Sequence, residues 1–236
     1  MKQVQDLGYK SEARRGLLFV FMAGVLWSTV GLGIRMIDEA TVWQILLYRS
    51  ISLSLFLAIV IYLRSSENLF TVVRAAGLPA CIAGLALVGA YAGGIYGIQS
   101  TSVANAMLLF ASAPFMAAIL GWIFLREKVR KATWISILFA MLGIGIMVQD
   151  KSTGSALLGN LAALGSAFGF AVFTVALRWG RSGEMLPAVF LSGIFAIFIT
   201  SSICLLSGLS FQISVNDTSI SMGMGILQVG AGLVLY

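Results

Sequence analysis

The chain has 236 residues, of which 59% are hydrophobic and only 10% are charged, and its formal net charge is +6. A soluble domain carries about 25% charged residues, so this composition excludes an ordinary soluble protein. Histidine is absent, which removes the commonest general base and the commonest metal ligand, and we expect neither a metal site nor a cofactor.

Eight apolar runs follow a polar, basic N-terminal segment at residues 1–15. In chain order they are Gly16–Ile37, Val42–Leu63, Ala75–Ile98, Val103–Leu125, Ala132–Val148, Ala156–Leu177, Leu186–Ser207 and Ser219–Tyr236. Each is close to the roughly 20 residues with which an α-helix crosses a bilayer. The runs predict an all-α polytopic membrane protein, embedded in the lipid bilayer, whose short loops make successive helices antiparallel neighbours. The first run is interpreted as a retained helix, not as a removed signal.

Lysine and arginine are divided unequally between alternate loops. One set of loops holds 12 of them: Lys2, Lys10, Arg14, Arg15, Arg64, Arg74, Arg126, Lys128, Arg130, Lys131, Arg178 and Arg181. The other set holds two, Arg35 and Lys151. Because cytoplasmic loops are enriched in these residues, the N-terminus and the loop at 126–131 are predicted to be cytoplasmic, in a cell membrane. Because the excess of lysine and arginine lies in the loops predicted to be cytoplasmic, the net charge of +6 reflects membrane topology, and no nucleic-acid partner is expected.

A faint internal repeat divides the chain into two units, 16–149 and 156–236. A shift of 143 residues superimposes four pairs: Gly16 on Gly159, Leu18 on Leu161, Trp27 on Phe170, and Arg35 on Arg178. The first run leaves the cytoplasm and the sixth enters it, which predicts two inverted five-helix repeats of the kind found in transporters. On this interpretation ten helices are expected, and the second repeat is truncated at Tyr236 within its third helix.

Pro114 is the one proline deep inside a run. It deprives the Phe110 carbonyl of its helical donor and is expected to bend the fourth helix, on which Asn105 and Ser112 also lie. The bend either offers polar groups to a substrate cavity or is a packing kink, since membrane helices tolerate proline.

Glycines at four-residue spacing form two stripes. Gly89, Gly93 and Gly97 share a face of the third helix, and Gly165 and Gly169 share a face of the sixth. Small residues at this spacing let helix backbones approach closely. The stripes predict either tight static packing or a smooth surface on which helix bundles move.

Arg49 is the one charge well inside a run, about 10 Å from the start of its helix at 1.5 Å per residue. Its long side chain could extend outward to Asp38 or Glu39, which is the interpretation we favour. Alternatively, it is the counter-charge of an anionic group such as a carboxylate, because charges at this depth are often functional.

Polar and aromatic side chains inside other runs are further candidates. Trp27, Ser28 and Tyr91 are candidates for lining a cavity, and Phe170 corresponds to Trp27 in the repeat. Helix–helix hydrogen bonding is the expected role of Asn160 and Gln228. All acidic residues lie in loops or at the ends of runs, so no buried carboxylate is expected to carry a proton. Motifs for covalent catalysis and phosphate binding are absent from the sequence, which argues against direct ATP hydrolysis and favours a protein that is not an enzyme.

The fourth run resembles a known family. Residues 104–115, ANAMLLFASAPF, and the closing Leu125-Arg126-Glu127-Lys128 are similar to the fourth helix of EamA-type members of the drug/metabolite transporter superfamily. Leu26-Trp27-Ser28 resembles the Trp-Gly signature of that family, with Ser28 in place of glycine, and Arg49 agrees with an arginine often found in the second helix. The resemblance implies a ten-helix carrier whose central cavity is built from helices one, three, four, six, eight and nine.

The resemblance and the residues together predict a secondary transporter. It would export small organic metabolites, such as amino-acid-like compounds, by alternating access. The expected substrate contacts are Trp27, Ser28, Arg49, Tyr91, Asn105, Ser112, Pro114 and Phe170. The expected packing or hinge residues are Gly89, Gly93, Gly97, Pro114, Gly165 and Gly169. The alternative is a non-transporting membrane scaffold or sensor, or an inactive fragment, and assembly as a homodimer stays open.

Overall fold

The computed structural model describes residues 16–64, 69–149, 154–181 and 185–235. Throughout these ranges the regular structure is helical, which confirms the predicted all-α class. The predicted cytoplasmic segment 1–15, Lys151 and the terminal Tyr236 lie outside the described residues.

Each of the eight apolar runs contains helical structure. The helices are α1 (residues 16–28), α2 (Val30–Arg35), α3 (Val42–Arg64), α4 (Leu69–Ser100), α5 (Val103–Phe110), α6 (Ala113–Leu125), α7 (Lys131–Gln149), α8 (Gly154–Trp179), α9 (Leu186–Leu206) and α10 (Val215–Gly223), then a π-helix (Met224–Ala231) and α11 (Gly232–Leu235). We number the runs as spans one to eight: α1–α2, α3, α4, α5–α6, α7, α8, α9 and α10–α11. Six helices in the described residues are long and apolar enough to cross a membrane, and the apolar part of α7, Lys131–Ile146, is shorter.

The loops gather at two ends of the bundle. At the basic end, where the Arg126–Lys131 loop lies, Arg178 at the end of α8 pairs with Glu127 at 2.8 Å. At the opposite end, which we call the Asp217 end, Gln99 donates to the Ala40 carbonyl at 3.2 Å. Alternate loops therefore meet at the same end, as antiparallel neighbouring helices require.

Span four is broken where the proline was predicted to bend it. α5 ends at Phe110 and α6 begins at Ala113. Pro114 has no N–H for the Phe110 carbonyl, and the Phe115 N–H donates to Ser112, three residues back, at 3.0 Å. The carbonyls of Phe110 and Ala111 thus lose their usual helical donors. The predicted bend is confirmed and is a complete interruption of the α-helix.

Spans three and six cross with their backbones nearly in contact. An ideal Cβ at Gly93 would lie 2.6 Å from the Ala162 carbonyl oxygen, and one at Gly169 would lie 2.8 Å from the Ala86 carbonyl oxygen. Gly97 is similarly close, with 3.1 Å from its ideal Cβ to the Ala163 side chain. These three glycines lie at the crossing because a side chain there would displace backbone atoms of the neighbouring helix.

The other two glycines of the stripes do not pack. An ideal Cβ at Gly89 or at Gly165 would have no heavy atom of a neighbouring helix within 4 Å, and both residues are exposed. The predicted packing role is therefore wrong for Gly89 and Gly165. A helix presents only part of a four-residue stripe to a partner that crosses it at an angle.

Asp217 corrects the expectation that no carboxylate is buried. Its side chain is fully buried at the start of α10 and accepts hydrogen bonds from the backbone N–H groups of Asp38, Glu39 and Ala40 at 3.1–3.2 Å. Burial by itself would raise the pKa of this carboxyl, but these hydrogen bonds and one from Ser214 hold the pKa below its ordinary value. Asp217 therefore anchors the 38–40 turn to the start of α10 as a charged acceptor.

We expect Asp217→Ala to destabilise the protein by about 3 kcal/mol, because three N–H groups would lose a charged acceptor. Thermal unfolding of the purified protein measures this loss. The control is Glu39→Gln, which changes an exposed acidic side chain in the 38–40 turn that Asp217 contacts. Since the folded pKa is lowered, the stabilisation should be complete above the unfolded pKa of about 3.9 and lost as the pH falls below it. Equal melting temperatures for the two variants would contradict the anchoring role.

Candidate functional site

The one charge predicted to lie deep within a helix is buried inside the bundle. Arg49 on α3 is only 5% exposed, and its guanidinium carbon lies 4.4 Å from the centroid of the Tyr91 ring on α4. A cation over an aromatic face is stabilised by the ring quadrupole, by about 2 kcal/mol when both are desolvated. Two predicted site residues, from spans two and three, are thus brought together.

The favoured interpretation of Arg49 is wrong. Asp38 and Glu39 are exposed at the Asp217 end, and within the described residues the salt bridge found is that of Arg178 with Glu127. The Nε atom of Arg49 is buried and has no hydrogen-bond partner. The side chain stays between the helices with its guanidinium over the Tyr91 ring, and it does not extend to the loop acids.

Tyr91 links this arginine to the seventh span. It packs against an apolar cluster to which α9 contributes Val189, Phe190 and Leu191. The next residue, Ser192, is fully buried and donates to the Val189 carbonyl of its own helix at 2.7 Å. Ser192 was not a candidate in the sequence, since a serine inside an apolar run commonly bonds to the backbone of its own helix.

The polar residues of span four lie on both sides of its break. Ser112 is buried and donates to the Leu109 carbonyl at 2.6 Å, whereas Pro114 is exposed. Asn105 is half-buried in the first turn of α5, and its backbone N–H donates to the Ser102 hydroxyl at 3.1 Å. The Ser102 cap explains why α5 begins at Val103.

Phe170 joins spans four and six through aromatic contacts. Its ring centroid lies 5.5 Å from that of Phe110, the last residue of α5, and 5.6 Å from that of Phe173. Such tilted pairs stabilise by about 1 kcal/mol beyond the buried area. Phe170 therefore holds the broken region of span four against α8. This contact could not be predicted, because many apolar residues in both runs could have formed it.

Trp27 and Ser28 lie at the end of α1, apart from Arg49. Trp27 is 40% exposed and its indole lies against Gly232, where an ideal Cβ would be 2.5 Å from Nε1. The exposed Ser28 donates to the Val25 carbonyl of its own helix at 2.7 Å. These two residues mark a contact between spans one and eight.

Two polar residues differ from their expected role. Gln228 in the π-helix is 4% exposed and Asn160 on α8 is 1% exposed. Neither amide atom of Gln228 has a hydrogen-bond partner, and the same holds for Oδ1 of Asn160. The predicted helix–helix hydrogen bonds are therefore wrong for Gln228 and for this oxygen of Asn160.

An open cleft of ≈ 700 Å³ lies at the basic end, near the turn between α6 and α7. Trp122 and Trp134 form one wall, with ring centroids 5.3 Å apart in an edge-to-face arrangement, and Arg126 and Lys128 contribute charge. No predicted substrate residue lines this cleft. Tryptophan and basic residues together are typical of the membrane–water interface.

Comparison with known proteins identifies the architecture. Residues 14–149, more than half of the chain, match the model of the EamA-like transporter family. The chain belongs to this family. This EamA-like assignment confirms the resemblance found in the fourth run, and it confirms that the chain is not an enzyme.

Relatives of this EamA-like chain extend beyond the matched region. It is 24% identical to protein RarD of Escherichia coli (strain K12), over 94% of this chain and 74% of that protein. It is 36% identical to the uncharacterized transporter YetK of Bacillus subtilis (strain 168), over 34% of this chain and 26% of that protein. The chain thus spans less than two thirds of the length of YetK.

A solved crystal structure shares the fold of this EamA-like chain. It superimposes with a TM-score of 0.64 at 16% sequence identity and covers 93% of this chain and 77% of the other. At this identity the likeness concerns the arrangement of helices alone.

Proposed function

We propose that the protein is a secondary transporter that moves small organic metabolites across the cytoplasmic membrane by alternating access. The observation that carries this proposal is the EamA-like match over residues 14–149, on a bundle with six helices of membrane-spanning length. Amino-acid-like compounds are the proposed substrates and export is the proposed direction. The inverted repeats 16–149 and 156–236 would rock about a site near the bilayer midplane.

Three groups of residues would take part in transport. Arg49, Tyr91 and the break in span four would contact the polar part of the substrate, and Phe170 would contact its apolar part. The interruption at Ala111 and Ser112 supports the polar role, because carbonyls without helical donors are available to a ligand. Trp27 and Ser28 lie at the contact of spans one and eight, and this contact would change when α1 moves during transport.

Counterflow in proteoliposomes tests the proposed function. Vesicles loaded with an unlabelled metabolite should accumulate the labelled compound only if the purified natural protein exchanges it. Amino acids, sugars and organic acids are screened in turn, with protein-free vesicles as the control. A folded protein that exchanges none of these compounds would support the scaffold or sensor alternative instead.

The proposed orientation places the basic end in the cytoplasm. In a background with Cys81→Ser and Cys204→Ser, we expect Lys128→Cys to react with an impermeant thiol reagent only after cell permeabilisation. Gln212→Cys, an exposed position near the Asp217 end, should react in intact cells. Labelling of Lys128→Cys in intact cells would reverse the proposed topology.

A further inference from the structure

Arg49 carries a charge that the described residues do not neutralise. Glu127 is paired with Arg178, and Asp217 is used by the 38–40 backbone. A buried cation in a membrane protein is costly unless an anion or several acceptors compensate it. Tyr91 compensates part of this cost, but Nε of Arg49 still has no acceptor.

The eighth span packs directly onto this turn of α3. A Cβ at Gly225 would collide with the Arg49 carbonyl and the Ser52 hydroxyl. Ser52 also donates to the Met222 carbonyl at 2.9 Å, which fixes the two helices at this level. Residues about one turn from Gly225 on the same face of span eight are therefore directed towards α3 near the level of the Arg49 backbone.

Two such residues are polar, and both side chains are unpartnered. Ser221 is fully buried and its hydroxyl has no partner; Gln228, 4% exposed, has none for either amide atom. Ser221 is four residues before Gly225 and Gln228 is three after it, about 6 Å and 5 Å along a helix. Gln228 also lies in the π-helix Met224–Ala231, a geometry that is frequent at functional sites.

We propose that Arg49, Gln228 and Ser221 form an anion-binding subsite that receives the carboxylate of the transported metabolite. A carboxylate has two acceptor oxygens that match the guanidinium fork, including its free Nε, and the amide and hydroxyl groups are further donors. The Tyr91 ring holds the guanidinium from its other face. This inference rests on the proposed transport function and narrows its substrate class to organic anions and amino-acid zwitterions.

Paired ligands test the subsite in the purified natural protein. Thermal stabilisation is measured with butyrate, phenylpropionate, succinate, leucine and phenylalanine, each beside its amide. We expect at least one acid to bind about tenfold more tightly than its amide, and Arg49→Gln to remove this preference. Arg49→Lys should bind the acid more weakly but retain the preference, and Gln228→Leu should weaken binding. Thr200→Val, a buried hydroxyl bonded within α9, should bind as the unchanged protein does.

The results separate the subsite from transport itself. Equal binding of acids and amides, no binding of any acid, or an acid preference retained by Arg49→Gln would overturn the subsite. Should Arg49→Gln fail to fold, an acid preference lost in Arg49→Lys would overturn it. Vesicles of phosphatidylcholine, a zwitterionic lipid without net charge, exclude an anionic lipid as the bound anion; binding that required anionic lipid would also overturn the subsite. Counterflow of neutral or cationic solutes without acids would refute the subsite and leave the transporter intact, whereas no counterflow of any solute would refute both.

Discussion

Gly93→Leu should prevent the protein from folding, because even a Cβ at this position would lie 2.6 Å from the backbone oxygen of Ala162. Overpacking in a core that can relax costs about 1–3 kcal/mol, and a clash with backbone costs more since no side chain can move aside. The yield of monodisperse protein in detergent and its melting temperature measure the effect.

Gly89→Leu is the matched control for this substitution. Gly89 lies one helical turn from Gly93 on α4, and its ideal Cβ has no neighbour within 4 Å. The control should fold with an unchanged melting temperature. Gly169→Leu and Gly165→Leu repeat the comparison on α8, where the ideal Cβ of Gly169 lies 2.8 Å from the Ala86 oxygen. Similar yields for Gly93→Leu and Gly89→Leu would show that spans three and six do not cross as described.

Arg49→Leu should reduce counterflow to the background of protein-free vesicles, and Asn105→Leu should reduce it about tenfold or more. Arg49→Leu removes the cation that lies over the Tyr91 ring. Asn105→Leu removes the side-chain amide on α5, the helix that precedes the break in span four. Cys204→Ser, a small change at a buried position of α9, is the control and should retain full exchange. Equal losses in the three variants, each shown to be folded, would remove Arg49 and Asn105 from the site.

Much of the fold follows from one-dimensional properties of the chain. Runs of apolar residues long enough to span a bilayer form α-helices, because lipid offers no hydrogen-bond partners and a helix satisfies the backbone N–H and C=O groups internally. Pro114 breaks span four for an equally local reason, the missing N–H. The π-helix of span eight could not be predicted, since the apolar run that contains it has no proline or other local feature that distinguishes it from an α-helix.

The candidate site was predictable as a set of residue types but not as a set of contacts. Arg49 was marked by its depth, yet its partner is decided by helix rotation, which places Tyr91 and not Asp38 beside it. For Asp217 the sequence suggested exposure, because the residue was expected to lie in a loop, whereas the structure buries it in the first turn of α10. Only the fold of the 38–40 turn around its carboxylate reveals that it is buried. The sequence carried a single hint, an acid three residues after the capping Ser214.

The two ends of the bundle are fastened with unequal strength. The Asp217 end is held by buried hydrogen bonds to a carboxylate, whereas the basic end is bridged by Arg178 and Glu127, whose side chains are 42% and 40% exposed. An ion pair this open to water contributes about 0–1 kcal/mol and weakens further as salt is added. Thermal motion should therefore separate the helices at the basic end first, and amide protons there should exchange with solvent sooner than those around Asp217. Among the described residues, added salt should therefore weaken the contact between spans four and six at the basic end more than the buried hydrogen bonds around Asp217.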